Sequence, residues 1–200
     1  MKKLLIIFLK YPQLGRVKTR LAKGIGEEKA LAIYQHLVAH TLEVAALGDW
    51  DVQLHWAQPM ASYPGFEGYD YSLQKGDDLG SRMAGSMAKG LRHYDRVVLI
   101  GSDIPGIHED IIEDAFEQLS RYDIVFGPAA DGGYYLVGLS QYLPEVFQLR
   151  EWSHPEVLAQ SIELAKANGS TWALVDTLSD LDTEEDLKKL HKLQKLFNIL

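Results

Sequence analysis

Cysteine is absent from the 200 residues. Disulfides and thiolate metal sites are therefore excluded, and the chain suits a reducing, cytoplasmic compartment. Positive charge is also scarce. Twenty Lys and Arg stand against 28 Asp and Glu, for a formal net charge of -8 and a pI near 5.3. That balance argues against a broad nucleic-acid surface and leaves small molecules as the expected partners. Long hydrophobic runs are missing too, and no stretch approaches the roughly 20 apolar residues that span a bilayer. The opening MKKLLIIFLKYP has the basic tip and apolar stretch of a secretory signal. However, Lys10 ends the run and no small-residue cleavage site follows, so the segment reads as a buried first strand. The G-x-x-x-x-G-K-[ST] phosphate loop, H-E-x-x-H and the G-x-S-x-G elbow are absent, as are repeats, low-complexity tracts and linkers. The length suits one domain, 1–200, since domains commonly run about 100–200 residues.

What is present alternates in period. Apolar runs of strand length lie at 3–9, 51–57, 96–103, 123–129, 133–139 and 171–177. Helical spacing marks 27–47, 78–93, 107–122, 153–169 and 183–197, with Gly48 as a C-cap, Ser153 as an N-cap and a Leu/Phe core stripe in 187–200. The stretch 58–76, rich in Pro, Gly and Tyr, reads as loop, and its aromatic part at 63–71 is a candidate cover for an acceptor site or an interface. Strands alternating with helices imply a layered α/β domain with a mainly parallel sheet. Ligands of such folds gather beyond the carboxyl ends of the strands, which directs attention to 10–20, 101–106 and the turns near 131 and 180.

The first of these, FLKYPQLGRVKTRLAKGIG, places Lys10, Arg16, Lys18, Arg20 and Lys23 in an acidic chain before the first acid, Glu27. Gly15 permits a tight turn, while Lys18, Thr19 and Arg20 offer a point charge, a hydroxyl and a planar fork to phosphate oxygens. Cations at a helix start oppose its dipole unless an anion sits there, so this loop is read as an anion receptor. In VVLIGSDIPG the core strand delivers Ser102 and Asp103 at its carboxyl end, where a carboxylate suits Mg²⁺ or Mn²⁺ shared with substrate phosphates. Asp131 begins an Asp-Gly-Gly turn whose glycines also allow close backbone approach to a ligand, with one of Tyr134 and Tyr135 facing the core and the other the cleft. DTLSDLDTEEDL carries a capping box at Thr183 and Asp186 and leaves Asp180 and Asp182 free. Asp182 is the preferred partner of Asp103 in a metal site, with Asp180 the alternative. QKGDDLGSRM offers Gln74, Asp78 and Arg82 to a nucleotide, although Asp78 also fits a helix N-cap.

Taken in order, F-x-K-x-P-x-x-G-x-V-K-T-R-L-A, Q-x-G-x-D-L-G-x-R-M, G-S-D-I-P, D-G-G-Y-Y-L-V-G-L and D-L-D-T-E-E-D-L span Phe8 to Leu187. This series resembles the bacterial glycosyltransferase-A-like family of nucleotide-diphospho-sugar transferases, labelled also as radical-SAM- and selenodomain-associated transferases. More distantly, the K-T-R-L-A and D-x-D-T elements are similar to those of 2-phospholactate guanylyltransferase and the molybdenum-cofactor nucleotidyltransferases. The Gly-rich L-x-x-G-x-G-T-R loop common among the nucleotidyltransferases is reduced here to one glycine. The resemblance implies a three-layer α/β/α sandwich with a Rossmann-like mixed sheet of about seven strands. It also implies a divalent metal on Asp103, a phosphate site lined by Lys18 and Arg20, and a nucleotide or nucleotide-sugar substrate with a small-molecule acceptor. Glycosyl transfer, nucleotidyl transfer with release of pyrophosphate, and nucleotide sensing without turnover are the three readings it leaves. Asp103, Lys18 and Asp131 are the expected catalytic residues, Asp131 toward the acceptor.

Overall fold

A computed structural model describes residues 1–60, 62–152 and 154–190. Seven strands form one sheet: β1 (Lys3–Leu9), β2 (Asp51–Trp56), β3 (Asp70–Leu73), β4 (Arg96–Ile100), β5 (Ile124–Pro128), β6 (Tyr134–Leu139) and β7 (Trp172–Leu174). Their spatial order is β3-β2-β1-β4-β6-β5-β7. All neighbours pair in parallel except β6, which runs antiparallel to both β4 and β5. The sheet is therefore mixed and Rossmann-like.

Alternation along β1 and β4 explains the layers. Leu5, Ile7, Val98 and Ile100 point to the side covered by α2 (Glu27–Ala45) and α4 (Glu109–Gln118), where they meet Tyr34, Val38, Ile111 and Phe116. Leu4, Ile6, Val97 and Leu99 point to the other side, onto Met83 and Met87 of α3 (Leu79–Gly90) and Ala165 of α5 (Val157–Ala167). With both faces covered, the central strands are continuously apolar, as parallel sheets require. A third cluster, with Leu21, Leu37, Leu181 and Leu187 among its members, packs α1 (Thr19–Ile25) and α6 (Glu184–Lys189) against α2. From β1 the chain first builds outward to β2 and β3, then returns to β4 on the opposite side of β1. The carboxyl ends of β1 and β4 thus form the topological switch point, where such folds bind ligands.

Several local expectations change. Residues 70–73, read as loop, form edge strand β3, pairing with Gln53–Trp56. The aromatic loop before it is anchored on the core: Tyr63 is buried, stacked 4.4 Å from Trp56, and Phe66 meets Trp56 edge-on at 4.8 Å, while Tyr71 of β3 stays exposed. The cationic segment contains a separate short helix, α1, that ends at Gly26. Gly48 does not cap α2, whose last turn ends at Ala46. A Cβ on Gly48 would collide with the Trp50 ring, and Trp50 Nε1 donates to Ala45 O at 2.9 Å, satisfying a terminal carbonyl. The expected helix 153–169 begins only at Val157. The proposed Ser153 cap and residues 191–200 lie outside the described residues. Among those described, no helix is long and apolar enough to cross a membrane.

Candidate active site

A cleft of about 630 Å³ opens at the switch point. β1 leads to Lys10 and the cationic turn, and β4 leads to Gly101, Ser102 and Asp103. The segment before α6 reaches the same place because Leu181 N–H donates to Asp103 O at 3.1 Å. That backbone bond brings Asp182 beside Asp103, and Thr183 with Asp186 then closes the expected capping box of α6.

Lys18 joins the two carboxylates. Its Nζ lies 2.9 Å from Asp103 Oδ1 and 3.0 Å from Asp182 Oδ1, donating a hydrogen bond to the latter, with the side chain 3% exposed. Arg20, on the exposed face of α1, reaches Asp182 Oδ2 at 3.9 Å. Burial pushes the Lys18 pKa down, but the charges of Asp103 and Asp182 and the hydrogen bond to Asp182 outweigh it. The net direction is upward, so the side chain stays an ammonium. Lys18 is also, among the described residues, the non-glycine residue with positive φ (47°). Such left-handed backbone costs on the order of 1 kcal/mol or more and persists where surrounding contacts hold it. Here those contacts are the paired carboxylates and the first α1 hydrogen bond, from Ala22 N–H to Lys18 O at 2.8 Å.

Asp103 Oδ1 is buried and, despite its closeness to Lys18, has no aligned hydrogen bond. Asp180, half-buried, has its pKa raised by burial first and then by the charges of Asp182 and Asp131. Four carboxylates thus gather in one cleft. Among the described residues no three His, Asp or Glu side chains form a ready metal cluster, so a cation here would take one or two carboxylates and find its other oxygens on a ligand.

The remaining residues singled out in the sequence divide. Lys10, Thr19, Gln74, Arg82, Ser102 and Asp131 line the cleft with Lys18, Arg20, Asp103 and Asp182. Gln74 donates its amide to His55 O at 2.8 Å, and Arg82 Nε donates to Gly76 O at 3.0 Å, so both also brace the neighbouring loop. Gly15 and Asp78 are not part of the lining. Gly15 belongs to a turn beside the Glu27 carboxylate, and Asp78 caps α3, accepting from Ser81 N–H at 2.7 Å. The Asp-Gly-Gly turn spends its glycine on packing. Gly132 has φ 92°, and a Cβ there would strike the Pro155 carbonyl, so the close backbone approach is to the segment before α5. Both tyrosines touch the cleft: Tyr135 donates to Asp176 O at 2.7 Å, while Tyr134 packs on Phe126 and Trp152.

Tyr34 was not legible as a site residue, because on α2 it is one more apolar position in a helical period. Its hydroxyl accepts from Lys10 N–H (3.0 Å), donates to Lys10 O (2.9 Å) and lies 3.4 Å from Ser102 Oγ, tying the loops after β1 and β4 together. Burial, with the Asp103 charge adding to it, pushes this hydroxyl up to about 12, so it remains a neutral donor. Trp152 and His154 also line the cleft, and no pattern in the sequence announces them.

A Rossmann-like mixed sheet with a charged cleft at its switch point defines a nucleotide-diphospho-sugar transferase-like fold. Over residues 34–154 the chain matches the family described as an uncharacterized protein conserved in bacteria (DUF2064), and it belongs to that family. It is similar to a nucleotide-diphospho-sugar transferase candidate from Desulfovibrio desulfuricans G20, with 34% identity, a TM-score of 0.91, and coverage of 98% of this chain and 89% of that one. The fold is shared more distantly with 2-C-methyl-D-erythritol 4-phosphate cytidylyltransferase from Thermus thermophilus, at 14% identity, TM-score 0.59, and 95% and 98% coverage. It is likewise shared with Rv0371c of Mycobacterium tuberculosis H37Rv in complex with manganese, at 17% identity, TM-score 0.58, and 96% and 99% coverage. A comparison with curated proteins finds no match.

Proposed function

We propose that this protein is a divalent-metal-dependent transferase that takes a nucleotide-diphospho-sugar and passes its glycosyl group to a small-molecule acceptor. The observation that carries this reading is the meeting of Lys18 with Asp103 and Asp182 at the mouth of the cleft, which joins an anion-binding cation to two hard oxygen donors. The 34% identical relative is named for nucleotide-diphospho-sugar transfer, and a fold relative was crystallised with manganese. The donor set fits Mg²⁺ or Mn²⁺. Asp103 presents a buried oxygen without an aligned hydrogen bond, and Asp182 stands beside it, so these two would hold the ion. When bound, the ion supplies Lewis-acid stabilisation of the diphosphate oxygens.

The chain's own groups do the rest. Lys18 and Arg20, with Lys10 and Thr19 in the same lining, bind the diphosphate and offset the charge that grows on it as the glycosidic bond breaks. Tyr34 holds the two loops at fixed separation, so that the cations and carboxylates need little rearrangement when the substrate enters. Asp131, also in the lining, serves to orient an acceptor hydroxyl and accept its proton.

The test is product analysis. Purified protein is incubated with a panel of sugar nucleotides and, separately, nucleoside triphosphates, with Mg²⁺ or Mn²⁺ and a mixed acceptor pool. Release of nucleoside diphosphate is the expected result. Pyrophosphate release would replace this reading with nucleotidyl transfer, the activity named for the cytidylyltransferase of similar fold. Saturable nucleotide binding with neither product would make the protein a sensor.

A further inference from the structure

We propose that Lys18 is a resident cation in the metal site: its ammonium occupies Asp103 and Asp182 until a polyphosphate draws it away, so that divalent ion and polyphosphate bind as a unit. The inference rests on the reading of the cleft given above and adds an order of events to it.

The geometry is that of competition. One oxygen of each carboxylate, the buried Oδ1 of Asp103 and Oδ1 of Asp182, lies 2.9 and 3.0 Å from Lys18 Nζ, so a divalent ion on the same pair would take those oxygens or stand next to the ammonium that holds them. An ammonium and a doubly charged ion cannot share those oxygens without strong repulsion at that range. The carboxylates remain open to the cleft, at 46% and 38% exposure, whereas Lys18 is 3% exposed, so an arriving ion meets a pair whose charge one ammonium already offsets in part from within. One arm of that hold lacks directionality, since Asp103 Oδ1 has no aligned hydrogen bond.

The backbone supplies the means of release. Lys18 stands in left-handed geometry (φ 47°, ψ 43°) as the N-cap of a helix of seven residues. A residue other than glycine stays there only while its contacts compensate. Once phosphate oxygens compete for the ammonium, rotation to ordinary backbone values turns the side chain away from the carboxylates. Thr19, Arg20 and Lys10 line the same cleft and receive the polyphosphate on which the ammonium then settles. Binding linkage makes the effect reciprocal: if polyphosphate raises affinity for the ion, the ion raises affinity for polyphosphate by the same factor.

The experiment counts bound Mn²⁺ by electron paramagnetic resonance, with and without inorganic pyrophosphate, which needs no knowledge of the base. Free Mn²⁺ should bind the unaltered protein weakly, and pyrophosphate should tighten it by about tenfold to a hundredfold, within the usual range of coupling between sites. Lys18→Met should bind Mn²⁺ alone about tenfold more tightly or better, because no internal cation must be displaced, and pyrophosphate should then add little. Lys18→Arg keeps a cation in place and should retain weak binding of the ion alone. Equal Mn²⁺ affinity with and without pyrophosphate in the unaltered protein overturns the proposal, whether or not the Met variant folds. So does a Met variant, folded by circular dichroism, whose affinity for Mn²⁺ alone is unchanged or lower. In both cases saturable Mn²⁺ binding leaves the metal site standing. Absence of Mn²⁺ binding under every condition removes the metal site and the gate together.

Discussion

Lys18 and His55 are both basic side chains buried against the same sheet, at 3% and 1% exposure, and they end in different charge states, one positive and one neutral. Lys18 lies beyond the carboxyl end of β1 between two carboxylates and keeps its proton. His55 lies on β2 beneath α3, where its ring nitrogens meet Ser86 Oγ at 2.9 Å and Gln53 Oε1 at 3.4 Å. Those partners are neutral. Burial, reinforced by the Lys89 charge, lowers the His55 pKa to about 4, so the ring is uncharged near neutrality. Equal burial therefore has unequal consequences. Of these two buried groups, the one that keeps its charge is the one around which the fold has assembled opposite charge, from segments far apart in sequence. The cleft bears that cost, and the core avoids it by neutralising the group.

The largest expected effect comes from breaking the charged side of the comparison. Asp103→Asn removes one carboxylate from Lys18 and one hard donor from the ion, while preserving size. Metal-dependent binding of a nucleoside diphosphate should fall by about a hundredfold or more, since a bound ion contributes several kcal/mol at such sites. Titration calorimetry in saturating Mn²⁺ measures it. Affinity within about threefold of the unaltered protein, a difference of under roughly 0.7 kcal/mol, would remove Asp103 from the site.

The neutral side is broken with acid. In the folded protein His55 takes up a proton only near pH 4, whereas the unfolded chain does so near the ordinary value of 6.5. Between those values the unfolded state binds more protons, so stability is intact above about pH 6.5 and is lost as pH falls toward 4. For a shift of this size the loss is at most about 3 kcal/mol, from about 1.36 kcal/mol per pKa unit. His55→Gln retains a hydrogen-bonding group toward Ser86 and does not titrate. Its urea-unfolding free energy should therefore fall less steeply across that window. Parallel curves for the two proteins would show that His55 carries no special acid sensitivity.

The same contrast explains what was readable beforehand. β1 and β4 announced themselves because strands covered on both faces must be apolar throughout, and the α6 cap because Thr183 and Asp186 interact locally. The convergence of Lys18 and Asp103 followed from the rule that strand ends carry sites in α/β sheets. The ion pair itself did not. In the sequence Lys18 reads as awaiting phosphate, and only the bond from Leu181 N–H to Asp103 O, which no local pattern encodes, shows why Asp182 is at hand to hold it. β3 escaped because four edge residues, none of them fully buried, have too little periodicity, and Tyr34 because a site hydroxyl at the tip of a core ring leaves an apolar signature. Gly132 looked like a ligand contact since its real neighbour, Pro155, arrives from a later segment.

Asp78 supplies the smallest effect and sharpens the comparison from outside the cleft. It is a carboxylate near the site in sequence, and its motif makes it a candidate nucleotide contact. Its oxygens, however, face the N-terminus of α3: Oδ1 accepts from Ser81 N–H at 2.7 Å, and Ser81 Oγ accepts in return from Asp78 N–H at 3.1 Å. Donation from the Ser81 backbone first, and then from its side chain, holds the Asp78 carboxyl below the usual range without any buried cation. Exposed carboxylates of this kind act through a helix end. Asp78→Ala should lower the melting temperature by about 2 to 4 °C, the usual effect of losing a cap in a domain of this size. Affinity for Mn²⁺ with pyrophosphate should stay within about twofold, because Lys18, Asp103 and Asp182 are untouched. A tenfold loss of that affinity with an unchanged melting temperature would move Asp78 from the helix cap into the site.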